Sequence, residues 1–210
     1  MPSPDSSAPA FRGRVLIIAG SDSGGGAGIQ ADIKTVTALG GYAATAITAI
    51  TVQNTLGVTG VHAIPLDIIE AQARAVLDDI GADAIKTGML GDIATVERVA
   101  KILDSAPGVA AVIDPVMVAK GGANLLAARA IEAVRELMIP RAALLTPNAP
   151  EAEALAGLPA HTTDDLRRAG EVLLGWGAKA VLMKGGHIAG ERLTDVLMTV
   201  RALVADREPE

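Results

Sequence analysis

Polar side chains follow the strand-length apolar runs of this sequence at the points where those runs end. The set contains two lysines, several carboxylates and three carboxamides: Asp22, Gln53, Asn54, Lys86, Asp114, Asn148, Glu151 and Lys184. If the strands run parallel, these side chains meet at one edge of a sheet, where open α/β sheets bind their ligands. Lysine is suited to phosphate and carboxylates are suited to Mg²⁺, so the whole set predicts a nucleotide phosphate site.

Each of these residues also has a simpler explanation, because one polar residue at a strand end usually begins a solvated loop. The functional interpretation therefore depends on the set, and most strongly on Asp114 and Lys184. Two glycines follow Lys184, and glycine lets the backbone approach a ligand closely. Among the histidines, His62 and His161 are interpreted as structural or solvent-facing, while His187 is ambiguous because it lies just beyond Lys184.

A glycine-rich stretch, GSDSGGGAGIQAD at 20–32, links the first apolar run to a helical pattern. Gly26, Gly28 and Ala31 match G-x-G-x-x-A, but no acidic residue ends the second apolar run to hold a ribose, so NAD binding is not predicted. A Walker A motif does not occur in the sequence. The stretch has more glycines than a tight turn needs, and glycine permits positive φ, so it predicts a small ligand at a helix N-terminus.

Composition narrows the possible partners. The formal net charge is −6 and no basic run occurs, so nucleic acid is not expected to bind. The absence of cysteine excludes disulfides, thiolate metal sites and a thiol nucleophile, and it fits a reducing, cytoplasmic location.

Residues 35–66 carry no charged side chain, but glycine, proline and polar residues interrupt this stretch, so we expect buried strands and no membrane span. The polar residues 1–12 are expected to form a disordered tail.

The elements that must position these side chains are strands alternating with helices. Apolar runs predict strands at 14–20, 42–52, 58–64, 83–88, 109–114, 142–146 and 179–185. Apolar residues at helical spacing predict helices near 29–40, 66–80, 92–106, 127–139 and 162–176. Most of the strand candidates are apolar throughout, as in parallel strands covered on both faces, so a largely parallel α/β sheet is predicted. Residues 42–64 are expected to add either a hairpin or a pair of adjacent strands.

Six motifs occur in one order between about residues 14 and 196: AGSDSGGGAGIQADIKT, ITVQNTLGV, KTGML, IDPVM, LTPNAPEA and LMKGGH. Together they closely resemble the hydroxymethylpyrimidine/phosphomethylpyrimidine kinases of thiamine biosynthesis, which belong to the ribokinase-like superfamily. The resemblance implies a three-layer sandwich, with a mostly parallel central sheet and helices on both faces, as a single domain over 13–210. It also implies that ATP, with Mg²⁺, phosphorylates 4-amino-5-hydroxymethyl-2-methylpyrimidine and then its monophosphate. Relatives are commonly dimers, so a homodimer is expected by analogy.

For the pyrimidine, the resemblance implies a pocket of five residues: Gly20, Asp32, Gln53, Met89 and Val116. Gln53 is expected to hydrogen-bond the aminopyrimidine edge, and Met89 and Val116 are expected to lie on the two sides of the ring. This fits a chain that contains only one Phe, one Tyr and one Trp, because few aromatic rings are available for stacking.

For the phosphates, the resemblance implies that Asp114 and Glu151 act through Mg²⁺, partly by way of water, and that Asn148 helps to bind the nucleotide. Lys184 is expected to bind the nucleotide and to hold the transferred phosphate. Phosphoryl transfer depends mainly on positioning and on charge stabilisation, which these residue types can supply.

The sequence departs from the family near its end. The GTGC-type motif, which in the family opens a helix, forms an anion hole and supplies the catalytic base, has no match here. The resemblance therefore implies a C-terminally truncated fold without the conventional base. Low activity is expected, since one anion-hole donor contributes about 10²–10³ in rate. Exposed apolar surface is also expected, at the place where the family's further helices pack. Two alternatives stay open, namely a non-catalytic module that binds a pyrimidine or vitamin, and a pyridoxal-type kinase.

Overall fold

The computed structural model describes residues 11–117, 128–188 and 192–200. Within these ranges, strands and helices alternate as the sequence predicts. The elements are β1 (Arg14–Asp22), α1 (Gly28–Ala38), β2 (Tyr42–Asn54), β3 (Gly57–Ala63), α2 (Leu66–Ala75), β4 (Ala84–Thr87), α3 (Ile93–Asp104), β5 (Ala110–Ile113), α4 (Ala128–Ala133), β6 (Leu144–Leu145), α5 (Ala149–Ala156), α6 (Thr163–Gly175), β7 (Ala180–Met183) and β8 (Val196–Thr199). Short π-helical turns extend α2 and α4, at Val76–Ile80 and Val134–Met138.

The strands form one sheet in the order β3-β2-β1-β4-β5-β6-β7-β8. β1 pairs in parallel with both β2 and β4, and parallel pairing continues from β4 through β5 and β6 to β7. The outer strands are antiparallel to their neighbours, β3 to β2 and β8 to β7. The predicted, mostly parallel sheet is therefore confirmed, and the segment 42–64 forms the hairpin.

The two faces of the sheet carry different helices. Side chains alternate along β1: Leu16 and Ile18 belong to a large core with residues of α2 to α6, whereas Ile17 packs against Ile29 of α1. Among the described helices, α1 alone lies on this second face. The predicted arrangement, with helices on both faces, is confirmed. At the β8 edge of the sheet, which lies far from α1, apolar side chains are exposed to solvent, and Leu197 of β8 is 64% exposed.

Two helices begin with reciprocal caps. In α6, Thr162 accepts a hydrogen bond from Asp165 N, and the Asp165 carboxylate accepts one from Thr162 N at 2.9 Å. In α5, Asn148 and Glu151 form the same capping box. Such a box satisfies two backbone N–H groups that the first turn of a helix leaves unpaired. The apolar periodicity predicts α6 but not α5, whose eight residues, APEAEALA, carry only a weak apolar pattern.

The first described residues lie against the amino end of β2. The ring of Phe11 contacts that of Tyr42 edge-on, with 5.2 Å between centroids, and Arg12 N donates to Gly40 O at 3.0 Å. Residues 1–10 of the predicted tail lie outside the described residues, and the tail and the single domain over 13–210 stay predictions. Along the described parts of the chain, no helix reaches the length and hydropathy that crossing a bilayer requires.

Candidate active site

A cavity of about 320 Å³ opens at the carboxyl ends of β1, β2, β4 and β5. It is lined by Gly20, Ser21, Asp22, Ala27, Gly28, Ala31, Asp32, Thr51, Gln53, Lys86, Gly88, Met89, Asp114 and Val116. All five residues predicted to bind the pyrimidine are in this lining, together with the predicted metal ligand Asp114. Its volume lies at the lower end of the range for small-molecule sites, about 300–1,000 Å³.

The glycine loop, residues 23–27, folds around the carboxylate of Asp22. Gly24 N donates to Asp22 Oδ1 at 2.8 Å, while Gly26 N and Ala27 N donate to Oδ2 at 3.0 and 2.8 Å. Asp22 itself is only 5% exposed. Gly25 makes the turn possible because its φ of +75° is a conformation that other residues rarely adopt. The amides of the loop therefore bind a group of the protein itself.

Glycine allows close approach at two further points of the cavity wall. A Cβ on Gly20 would overlap Cε of Met89, so the Met89 side chain lies directly against the backbone of β1. A Cβ on Gly28 would overlap the carbonyl oxygen of Gly20. These two glycines let Met89 and the first turn of α1 approach the end of β1, which shapes the cavity.

Gln53 is fixed through its main chain. Ser23 Oγ donates to Gln53 O at 2.6 Å and accepts from Gln53 N at 2.8 Å. Nearby, Thr51 Oγ1 donates to Ser21 O at 2.7 Å. These bonds join the end of β2 to the glycine loop, with Gln53 in the cavity wall. Sequence reasoning did not single out Ser23 or Thr51, because a hydroxyl that bonds a distant backbone group leaves no pattern in the sequence.

A lysine–carboxylate pair connects α1 to the sheet. Lys86 Nζ donates to Asp32 Oδ2 at 2.8 Å, and each side chain is less than a quarter exposed. Lys86 extends from β4, and Asp32 lies in the second turn of α1. The sequence predicts Lys86 at the ligand-binding edge of the sheet but assigns it no role. Its partner Asp32 lies 54 residues away, so no local pattern predicts the pair.

A second lysine–carboxylate pair lies at the ends of β5 and β7. Lys184 Nζ donates to Asp114 Oδ1 at 3.0 Å, and Thr146 Oγ1 donates to the same oxygen at 3.3 Å. Asn148 forms an isolated parallel bridge with Lys184, whose N–H donates to Pro147 O at 2.8 Å. The loops after β5, β6 and β7 thus bring the predicted nucleotide and metal residues together.

Glu151 is buried at the N-terminus of α5. Its Oε2 accepts from Asn148 N at 2.8 Å, and its own N–H donates to Asn148 Oδ1 at 2.9 Å. Burial raises the pKa of Glu151 above its ordinary value, and the negative charge of Asp114 raises it further. The backbone hydrogen bonds and the charge of Lys184 lower the pKa of Glu151 in part. The carboxylate that the resemblance assigns to a metal thus also caps the N-terminus of α5.

The histidines lie away from this cavity. His62, His161 and His187 are exposed, as expected for the first two, and His161 Nε2 lies 3.8 Å from a Glu153 oxygen. His161 and His187 line a separate open groove beside α5. In the described ranges, no cluster of three or more His, Asp or Glu side chains could enclose a metal ion.

Comparison with known proteins gives this geometry its context. The profile of the phosphomethylpyrimidine kinase family matches residues 22–209. The chain belongs to this family. The hydroxymethylpyrimidine/phosphomethylpyrimidine kinase of Bacillus subtilis (strain 168) is 48% identical over 185 residues, which cover 88% of this chain and 68% of that relative. The resemblance drawn from the six motifs is thereby confirmed. The chain spans about two thirds of the length of this relative and of the hydroxymethylpyrimidine/phosphomethylpyrimidine kinases of Streptomyces coelicolor and Haemophilus influenzae.

Solved structures agree with this family. The phosphomethylpyrimidine kinase from Clostridium difficile 630 is 45% identical, with a TM-score of 0.82, and the match covers 89% of this chain and 80% of that one. The pyridoxal kinase from Staphylococcus aureus in complex with pyridoxal is 36% identical, with a TM-score of 0.83, and the match covers 91% and 70%. That kinase has also been solved with AMP-PCP and pyridoxal. The predicted ribokinase-like fold is confirmed, and the relatives are kinases, as the resemblance implied.

Proposed function

We propose that this member of the phosphomethylpyrimidine kinase family transfers the γ-phosphoryl group of ATP to the hydroxymethyl oxygen of 4-amino-5-hydroxymethyl-2-methylpyrimidine. A second transfer, to the monophosphate, gives the diphosphate. One observation carries the proposal: the five residues assigned to the pyrimidine line a single cavity whose wall also contains Asp114. A ring bound there lies next to the residues suited to nucleotide phosphates.

We call the first group of residues the ring end: Gly20, Asp32, Gln53, Met89 and Val116. A carboxamide offers one acceptor and two donors, so Gln53 can match an aminopyrimidine edge, which presents an amino group beside a ring nitrogen. Lys86 binds Oδ2 of Asp32, so Oδ1 is the oxygen we assign to a donor on the ring. Met89 and Val116 supply apolar contacts to the two faces of the ring.

The second group is the phosphate end: Asp114, Asn148, Glu151 and Lys184. The ammonium group of Lys184 can stay bound to the phosphoryl group during its transfer from ATP to the substrate oxygen. ADP is the leaving group, and the proton of the substrate hydroxyl passes to solvent water. Mg²⁺ is usually bound by one or two carboxylates together with substrate phosphates and water. Asp114 and Glu151 fit this mode, and a metal held with the nucleotide would supply charge neutralisation.

Calorimetry and product analysis on this chain test the proposal. We expect the hydroxymethylpyrimidine to bind more tightly than pyridoxal, and ³¹P NMR to detect the pyrimidine phosphate when ATP and Mg²⁺ are present. Gln53→Ala serves as the matched variant and should bind the pyrimidine more weakly. Absence of pyrimidine binding would overturn the proposal. Binding without transfer would support the non-catalytic module, and a preference for pyridoxal would support the pyridoxal-type kinase.

We further propose a cytoplasmic location and a homodimer. The absence of cysteine supports the first, because it suits a reducing compartment. The second rests on analogy with relatives, and sedimentation velocity tests it: a mass of twice the chain's 21.2 kDa is expected. A monomer across the concentration range would refute the homodimer without affecting the proposed chemistry.

A further inference from the structure

We propose that Asp22 is a specificity-determining residue whose carboxylate fills an anion site in the glycine loop, so that phosphate cannot bind there. The loop then admits only the uncharged ring of the substrate. This inference rests on the proposed function in one respect: it takes the pyrimidine monophosphate as a substrate and predicts which end of the cavity binds its phosphate group.

The geometry around Asp22 is that of an occupied anion site. Three amides, from Gly24, Gly26 and Ala27, converge on its carboxylate at 2.8–3.0 Å. Successive backbone N–H groups that converge in a turn form a concavity that binds anions, and a helix N-terminus beside it adds positive potential. Here α1 begins at Gly28, directly after the loop. In a phosphate-binding loop the ligand would occupy this place, whereas in this protein a buried side chain occupies it.

The position of Asp22 is itself fixed. Its N–H donates to Gln30 Oε1 at 2.7 Å, and its carbonyl oxygen accepts from Gly25 N at 2.9 Å. The residue also continues the pairing of β1 with β2, opposite Thr51. The backbone of Asp22 is therefore held by bonds other than those of its carboxylate.

This arrangement orients a phosphorylated substrate. The three loop donors are already used, and the negative charge of Asp22 repels a second anion. On the same wall, the positive charge of Lys86 is paired with Asp32. The pyrimidine monophosphate must then bind with its ring at the glycine loop and its phosphate toward Lys184.

Removal of the internal anion should turn the loop into a phosphate site. The probe is inorganic phosphate, and the variant is Asp22→Ala in a Lys184→Met background, which removes the cation of the phosphate end. Asp67→Ala in the same background is the matched control, because Asp67 is an exposed acid in the first turn of α2. We expect phosphate at ten times its Kd to raise the Tm of the Asp22 variant by about 3–6 °C beyond the control. The amide resonances of Gly26 and Ala27 should move in the same titration.

Equal Tm rises in the Asp22 and Asp67 variants would overturn the proposal, and so would phosphate-induced shifts away from residues 23–28. If Asp22→Ala folds poorly, the rise in Tm is still measurable, and Asp22→Asn, which keeps one acceptor oxygen, should show a smaller rise. Phosphate should also compete with the pyrimidine for binding to the Asp22→Ala variant, and it should not compete in the Asp67→Ala control. If the parent chain binds no pyrimidine, the proposed function fails, while the phosphate titration still decides the role of Asp22.

Discussion

The two ends of the cavity are built in different ways. The glycine loop beside the ring end is held by local bonds, since Asp22 bonds amides two, four and five residues away. At the phosphate end, Lys184 meets Asp114 across 70 residues, and Asn148 comes from a third loop. A local loop keeps its shape through its own residues, whereas the phosphate end exists only when β5, β6 and β7 are aligned. We therefore expect loosening of the pairing among β5, β6 and β7 to weaken nucleotide binding before pyrimidine binding.

The two lysine–carboxylate pairs differ in how far the lysine is exposed to solvent. Lys86 and Asp32 lie at the ring end, where the pair joins a helix to a strand. Lys184 is more exposed, at 38% of its side chain, so its charge can reach a ligand from solution. The first pair thus shapes the cavity, and the second is the one suited to contact phosphate.

The largest effect is expected from Lys184→Met. Turnover should fall about 10²–10³-fold, because the cation at the transferred phosphoryl group is lost, while pyrimidine affinity should be unchanged. A coupled ADP assay and calorimetry measure the two quantities. Lys101→Met, an exposed lysine of α3, is the control and should behave like the parent. Equal loss of pyrimidine and nucleotide binding would show that Lys184 is structural and that the two ends are not separable.

Gln53→Ala should produce the next largest effect, confined to the ring end. Polar groups of the bound ring would lose their partner, so the pyrimidine Kd should rise about 5- to 150-fold, equivalent to about 1–3 kcal/mol. Calorimetry with the pyrimidine and with ADP gives the comparison, and the ADP affinity should stay constant. Thr55→Ala, in the exposed hairpin turn, is the control. An unchanged pyrimidine Kd would remove Gln53 from the site.

Ser23→Ala should act on the same residue indirectly. It removes both hydrogen bonds to the Gln53 backbone, and we expect the pyrimidine Kd to rise about 2- to 12-fold. Ser23→Thr keeps the hydroxyl and should restore most of the affinity. The same loss in both variants would mean that side-chain size at this position matters and the hydroxyl does not.

The smallest effect concerns Glu151 and depends on pH. Because its folded pKa lies above the ordinary value of 4.5, the folded state holds this proton more tightly than the unfolded chain does. Glu151 therefore stabilises the fold most below pH 4.5, and this contribution is lost as pH rises through the raised pKa. The Tm of Glu151→Gln should increase relative to the parent as the pH rises above 4.5. A constant difference in Tm would contradict the raised pKa.

The common edge of polar residues could be predicted from the sequence, because uninterrupted apolar runs imply parallel strands and parallel strands end together. That reasoning brought Gln53, Asp114 and Lys184 to one side, where the structure also has them. The starts of β1 and β2 at Arg14 and Tyr42 and most helices follow from the same patterns, whereas both strands run two residues beyond their predicted ends.

The pairings inside the site could not be predicted from periodicity. The ion pair of Lys86 with Asp32 depends on how α1 lies over β4, which no local pattern specifies. Helix α5 begins at a capping box formed by Asn148 and Glu151, two residues that sequence reasoning interpreted only as ligands. One side chain can cap a helix and face a substrate, so chemical type alone does not separate these roles.

The contact between Met89 and Gly20 makes the cavity sensitive to oxidation in a protein without cysteine. Peroxide converts a methionine thioether into a bulkier, polar sulfoxide. The Met89 side chain packs against the backbone of β1 at Gly20, so an oxygen added to its sulfur would change this part of the cavity wall. Peroxide treatment should therefore reduce pyrimidine affinity, methionine sulfoxide reductase should restore it, and Met89→Leu should make the cavity resistant.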